Sequence, residues 1–260
     1  MKLSDLKKFK NHEIITCLTA YDASFADLFD QCGIDVILVG DSLGNVIKGE
    51  ENTLGVTIND MCYHTQAVAN KIQNSLLIAD MPYQTYSNPN DAIKNANLLL
   101  KAGAQVIKIE GGEECEAVFK SFQEEQIPVC GHLGLQPQSI QELGGYKVQG
   151  REEASAQRIL KDAKLLDELG VEVMVLECIP TKLGKEISES ISIPTIGIGA
   201  GNYCDGQVLV SYDMLDINLG RKPKFVKNFM TGNSSIEEAV KLFISEVKSR
   251  KFPSADYSYE

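Results

Sequence analysis

The 260-residue sequence predicts an α/β fold and, within that class, a (β/α)8 TIM barrel forming one domain over 1–260 with a closing C-terminal helix. Three observations carry this. Short β-branched runs alternate with longer segments of helical periodicity, which implies right-handed βαβ units and a parallel sheet. Seven strand runs are clear and an eighth is available, and eight strand–helix units in about 250 residues is the size of a barrel. No linker rich in Pro, Gly or Ser divides the chain. An open doubly wound sheet uses the same units, and strand count does not separate the two.

In chain order the strand runs are "EIITCLTAY" (13–21), "DVILVGD" (35–41), "SLLIADM" (75–81), "QVIKIEG" (105–111), "IPVCGHL" (127–133), "VEVMVLE" (171–177) and "IPTIGIG" (193–199). The eighth candidate is "KFVKNF" (224–229). Helical periodicity falls at 23–32, 58–72, 89–102, 113–126 and 151–169. The segment from 87 carries Asn and Asp at its start and Gly103 at its end, and the one from 160 stops at Gly170; both are ordinary helix punctuation. The last helix, 235–250, sets Ile236, Ala239, Val240, Phe243, Ile244 and Val247 on one stripe, which predicts core packing.

Composition narrows the function. Apolar residues make up 43% of the chain and no run approaches the span of a bilayer. The opening "MKLSDLKKFKNHE" is polar, without the apolar stretch of a signal peptide, so the expectation is a soluble cytoplasmic protein. Seven cysteines stand singly, which fits reduced thiols, with Cys17, Cys130 and Cys178 as small buried hydrophobes and no zinc site. A net charge of −11 disfavours nucleic acid as a partner but leaves room for small anions held by local cations or a metal.

The segment "ILVGDSLGN" (37–45) contains Gly40-x-Ser42-x-Gly44, the spelling of a hydrolase nucleophile elbow. The elbow needs a helix at once and a later acid and histidine. The segment after Ser42 carries two glycines and no helical stripe, and neither His64 nor His132 stands in a late triad context. Asp41 has better company. "ILVGD" ends at Asp41, "LLIAD" at Asp80 and "VIKIE" at Glu110, three successive apolar strands each finishing in a carboxylate. Each alone reads as a helix cap or loop acid. Together, on strands about 4.8 Å apart at the functional edge of a parallel sheet, they can share one site. Their repulsion calls for a cation, and oxygen ligands select Mg2+ first and Mn2+ second.

Parity places Lys108 on the same face as Glu110, where it either pairs with Glu110 or meets an anionic substrate. Glu177, closing "VMVLE" on the sixth strand, could look across the barrel mouth and serve as a general base. "GIGAGN" (197–202) is read as backbone approaching a neighbouring element; it lacks the third glycine and the prompt helix of a dinucleotide loop. His132 fits a site residue or a hydrogen-bonded structural histidine equally. "GGYKVQGR" (144–151) fits a mobile cover, an anion contact or a solvated loop.

The fragments "TAYDASFA", "VGDSLGN", "TLGVT", "ADMPY", "KIEGGEE", "GHLGLQPQS", "GGYKVQGR", "VLECIP", "IGIGAG", "DGQVLV" and "PKFVKNF" together resemble the ketopantoate hydroxymethyltransferase family, in its order and over nearly the whole chain. The resemblance implies a barrel of the phosphoenolpyruvate mutase/isocitrate lyase type. It also implies transfer of a one-carbon unit from 5,10-methylenetetrahydrofolate to 3-methyl-2-oxobutanoate in pantothenate synthesis. On the family's pattern Asp41, Asp80 and Glu110 fall on metal-site acids for Mg2+, with Asp41, Ser42, Asp80 and Lys108 on substrate-binding positions. Glu177 falls on the proton acceptor, and the resemblance implies a homo-oligomer, typically a decamer. Asn45, Gly55, Tyr83 and Gln136 depart from the family's usual residues without removing any of these groups. Related barrels carry carbon–carbon and carbon–phosphorus lyases, from which folate dependence separates this reading.

Overall fold

A computed structural model describes residues 2–10, 12–139, 145, 147–217, 219–220 and 222–260. Among the described residues eight strands form a closed parallel barrel in sequence order: β1 (Ile15–Thr19), β2 (Val36–Val39), β3 (Leu76–Asp80), β4 (Val106–Glu110), β5 (Val129–Gly134), β6 (Val173–Glu177), β7 (Thr195–Ile198) and β8 (Gly206–Leu209). Nearly every strand residue is buried, as expected when side chains fill the barrel on one face and meet helices on the other. That is why the runs are continuously apolar rather than alternating.

The helices are α1 (Leu3–Phe9), α2 (Ala23–Cys32), α3 (Leu43–Val46), α4 (Ile58–Ala69), α5 (Pro89–Lys101), α6 (Glu116–Glu124), α7 (Glu153–Glu168), α8 (Thr181–Ser190), α9 (Ser211–Met214) and α10 (Ile236–Lys248). The starts of α2, α4, α5 and α10 follow side-chain caps. Asp22 accepts from the N–H groups of Ser24 and Phe25, Thr57 forms a reciprocal box with Asp60, and Asn88 accepts from Asp91 ahead of Pro89. The expected stripe of α10 buries Ala239, Val240, Phe243 and Val247 against α2 and β1.

Two expectations are corrected. The eighth strand is Gly206–Leu209, and 224–229 is irregular chain with Phe225, Val226 and Phe229 buried. Glycine hides this strand from a propensity reading, yet the closure needs it: a Cβ on Gly206 would lie 2.6 Å from the Ile15 carbonyl oxygen across the β1–β8 seam. Second, a helix does follow Ser42. It is the four-residue α3, too short to show a stripe.

Register positions the site. Asp80 pairs with Lys108, Glu110 with His132, and Gly134 with Glu177, so the carboxyl ends of β3 to β6 carry Asp80, Lys108, Glu110, His132 and Glu177 toward one mouth of the barrel. The opposite end is tied structurally, where Lys10 bridges the Ser188 carbonyl and Asp205 and Asp205 accepts from Thr195. No helix among the described residues is long and apolar enough to cross a membrane.

Candidate active site

Beyond β2 the chain turns through Gly40 into Asp41 and Ser42. A Cβ on Gly40 would stand 2.8 Å from Ser42 Oγ, so glycine leaves room for that hydroxyl where it sits. The Asp41 N–H donates to Asp80 Oδ2 at 3.1 Å. Ser42 Oγ lies 2.8 Å from the Tyr21 hydroxyl, a phenol that burial pushes well up and keeps protonated. Ser42 thus has a tyrosine partner where a hydrolase would have histidine. His64 contacts the Tyr21 carbonyl instead.

Lys108 is 4% exposed and donates to Asp80 Oδ1 at 2.8 Å. Its ion pair is with Asp80, one strand over, and not with Glu110, its neighbour by parity. Burial works against its charge, but Asp80, Glu110 and Asp41 outweigh it and hold the ammonium firmly protonated. Glu110 turns the other way. Its Oε2 accepts from the Gln138 N–H at 3.0 Å, and its Oε1 stands 3.3 Å from His132 Nδ1. On the far side His132 Nε2 stands 3.3 Å from Glu177 Oε2. Neither His132 contact has hydrogen-bond alignment, so the attraction is between charges. Burial and Lys108 oppose protonation of His132, yet Glu110 and Glu177 push it up to about 9, making it an imidazolium between two carboxylates.

The structure therefore brings together the strand-end residues singled out from the sequence: Asp41, Ser42, Asp80, Lys108, Glu110, His132 and Glu177 all line one cavity of about 1050 Å3 at the carboxyl ends of the strands. Of the 144–151 loop, Lys147 and Val148 line the cavity, Arg151 is exposed, and Gly144 and Tyr146 lie outside the described residues. The "GIGAGN" glycines serve close approach: at Gly199, with φ 64°, a Cβ would meet the Phe225 and Tyr259 rings, and at Gly201 the Thr181 side chain.

Sequence reasoning missed three residues. Tyr21 meets Ser42, Gln138 bonds both Asp41 and Glu110, and Tyr259 reaches the wall from the far end of the chain. A strand-end Gln or a distant Tyr carries no pattern that marks it. Only the nearness of Gln138 to the end of β5 gave a signal.

The family is decided by comparison. A model of the family described as ketopantoate hydroxymethyltransferase matches residues 1–255. The chain belongs to the ketopantoate hydroxymethyltransferase family. Proteins named 3-methyl-2-oxobutanoate hydroxymethyltransferase are 61% identical over 260 residues in Ruthia magnifica subsp. Calyptogena magnifica, covering 100% of both chains, and 50% identical in Psychromonas ingrahamii, covering 100% of this chain and 98% of that one. Membership in the ketopantoate hydroxymethyltransferase family makes the chain a transferase. Among solved structures it is similar to phosphoenolpyruvate phosphomutase from Streptomyces platensis subsp. rosaceus, with TM-score 0.62 and 11% identity over 82% of each chain. It is also similar to 2,3-dimethylmalate lyase, a PEP mutase/isocitrate lyase superfamily member, with TM-score 0.57 and 17% identity over 80% of each. At these identities the likeness establishes the fold.

The site's fit to a metal can be judged from its charges. Asp41, Asp80, Glu110 and Glu177 face Lys108 and His132, leaving an excess of carboxylate in buried surroundings. Burial, then Asp80 and Glu110, push Asp41 up to about 8, a strain that a divalent cation would relieve. No group of three or more His, Cys, Asp or Glu among the described residues is arranged to hold a metal, because Glu110 is turned toward His132 and Gln138. What fits is a hard cation held by one or two carboxylates, with substrate and water completing its shell, the usual habit of Mg2+.

Proposed function

We propose that the chain transfers a hydroxymethyl group from 5,10-methylenetetrahydrofolate to 3-methyl-2-oxobutanoate, giving 2-dehydropantoate (ketopantoate) for pantothenate and coenzyme A synthesis. The observation that carries the reading is a cation and a base in one cavity: Lys108 buried beside Asp41, Asp80 and Ser42, and Glu177 across the mouth beyond His132. The names of the relatives supply the substrate.

Lys108 and the Ser42 hydroxyl would bind the carboxylate of the 2-oxo acid. Asp41 and Asp80, with Glu110 behind, would hold Mg2+. When bound, the metal supplies Lewis-acid polarisation of the 2-oxo group. Glu177 takes the C3 proton on its carboxylate, and its side chain, 15% exposed, faces the cavity where that carbon would sit. The electron pair released at C3 forms the new bond to the folate methylene carbon as one of that carbon's two bonds to folate nitrogen opens. Water then replaces the second nitrogen and leaves the hydroxyl, while the proton held by Glu177 and one proton from water pass to the two nitrogens of the departing tetrahydrofolate. His132 keeps Glu177 aimed, with its Nε2 3.3 Å from Glu177 Oε2. Assembly as a homo-oligomer, a decamer on the resemblance, completes the proposal. Exposed Tyr63 and Leu98, on the neighbouring helices α4 and α5, supply apolar surface for it.

NMR of 3-methyl-2-oxobutanoate in D2O tests this. Metal-dependent loss of the C3 proton signal is expected, with a hydroxymethyl signal only when methylenetetrahydrofolate is added. Glu177→Gln should keep oxo-acid binding and lose proton exchange by about 100-fold or more. Full exchange in that variant would remove Glu177 from the role of base.

A further inference from the structure

Gln138 sits in the short 3-10 turn Pro137–Ser139 just beyond β5, with only 5% of its surface exposed. A primary carboxamide carries two N–H donors and one carbonyl acceptor. Here Nε2 lies 2.9 Å from Asp41 Oδ2 and 2.9 Å from the Met81 carbonyl oxygen. Oε1 accepts from the Tyr86 hydroxyl at 2.7 Å. The main-chain N–H of the same residue donates to Glu110 Oε2 at 3.0 Å. One glutamine thus grips the chain beyond β2, beyond β3 and at the end of β4.

The amide has a single workable orientation. The Met81 carbonyl can only accept, as can the ionised Asp41 carboxylate, so the NH2 group is the one that faces them. Turned over, the amide would set Oε1 against two acceptors and leave the Tyr86 hydroxyl facing donors. Tyr86 stays protonated, since burial and the nearby Glu110 carboxylate push its phenol well up, and it can therefore donate. Holding Asp41 Oδ2 fixes the rotation of that carboxylate about its Cβ–Cγ bond, and the main-chain bond does the same for Glu110. Neither contact needs a ligand to be present.

We infer that Gln138 is a positioning residue for Asp41 and Glu110, and that Tyr86 locks its carboxamide in the working orientation. The inference rests on the proposed reading of these carboxylates as the seat of a divalent cation and oxo acid. Groups behind the direct ligands of a metal typically change affinity or activity by about 10- to 100-fold when removed. Gln138→Ala should act directly on the carboxylates, and Tyr86→Phe chiefly through Gln138.

The experiment uses the full-length protein with three readouts. The first is the 15N side-chain amide pair of Gln138, assigned by its loss in Gln138→Ala. It is expected as two sharp, separate resonances in the unaltered protein and as a broadened, averaged pair in Tyr86→Phe. The second is Mn2+ affinity by electron paramagnetic resonance, expected to weaken about 10- to 100-fold in Gln138→Ala. Tyr86→Phe should weaken it less, and should add little further in the Gln138→Ala background. Thermal midpoints establish that each variant is folded. The third is C3 proton exchange, which tests the reading separately. Exchange absent from the unaltered protein, with the amide and Mn2+ results as expected, sinks the enolising reading and leaves the positioning role standing. An unchanged Gln138 amide pair in Tyr86→Phe overturns the lock. Mn2+ affinity within about twofold of the unaltered protein in Gln138→Ala overturns the positioning role.

Discussion

Lys108 is a full positive charge on the inner wall of a barrel, and only its neighbours make that tolerable. Burying an ion alone is costly, whereas an ion with a close counter-charge and aligned bonds can be held. Asp80 supplies the counter-charge at 2.8 Å, and Asp41 and Glu110 add to it. Replacement of Lys108 by Gln removes the cation and leaves three carboxylates crowded in a dry site. Breaking a buried pair from one side typically costs about 3–5 kcal/mol. Lys108→Gln should therefore lower the stability seen in urea by that order, and oxo-acid binding by calorimetry should be lost with it. Unchanged binding would show that the cation serves the fold alone. At this scale the sequence was nearly sufficient. A lysine inside "VIKIE" is anomalous on its face, and parity put it in the site. Its partner was not legible, because Asp80 against Lys108 depends on the β3–β4 register, which is a tertiary fact.

The elements are joined by carboxylates that do no chemistry, and Asp30 shows how. It lies near the end of α2, where Oδ1 accepts from the N–H groups of Asn74 and Ser75 and from Ser75 Oγ, and Oδ2 from the Gln73 N–H and Asn74 Nδ2. This ties α2 to the chain entering β3. Burial raises the pKa of Asp30, but the bonds from Ser75, Asn74 and Gln73 outweigh it and hold the carboxyl below its ordinary value. A depressed pKa contributes stability that is complete above the unfolded value near 3.8 and is lost as pH falls through the folded one. Asp30→Asn should be less stable by about 1–3 kcal/mol at pH 7. The gap should stay level down to about pH 5 and close below about pH 4 in urea titrations. A gap that widened in acid would contradict the assignment. Strand and helix runs with strong patterns were legible at this scale, and α10 buried the face its stripe marked. The failures have two causes. β8 begins with glycine and lacks the β-branched start that marked the equally short β2 and β7, while α3 is a single turn, too short for a helical stripe.

The molecule as a whole closes its site with residues far apart in the sequence, and here sequence reading reached its limit. The last described residues run over the carboxyl ends of β6 and β7. Phe252 packs in an aromatic cluster with Phe229, Phe243 and Tyr257. Lys224 donates to the Ser258 carbonyl at 2.6 Å. The Tyr259 carbonyl accepts from the Thr181 N–H at 2.8 Å and its hydroxyl at 3.0 Å, so it caps α8, whose Pro180 start offers no side-chain cap. The Tyr259 ring then forms cavity wall beside Cys178, next to Glu177. Anchor and wall are thus separable. Phe252→Ala removes a ring that is 3% exposed and should cost about 3–5 kcal/mol. Tyr259→Ala keeps the carbonyl that caps α8 and removes a half-buried ring, so its stability should change by about 1 kcal/mol or less. The same variant opens the wall beside Glu177, and its defect should appear in steady-state kinetics as a raised KM. A Tyr259→Ala protein that matched the unaltered one in KM while losing several kcal/mol would make the segment a fold anchor with no part in the site.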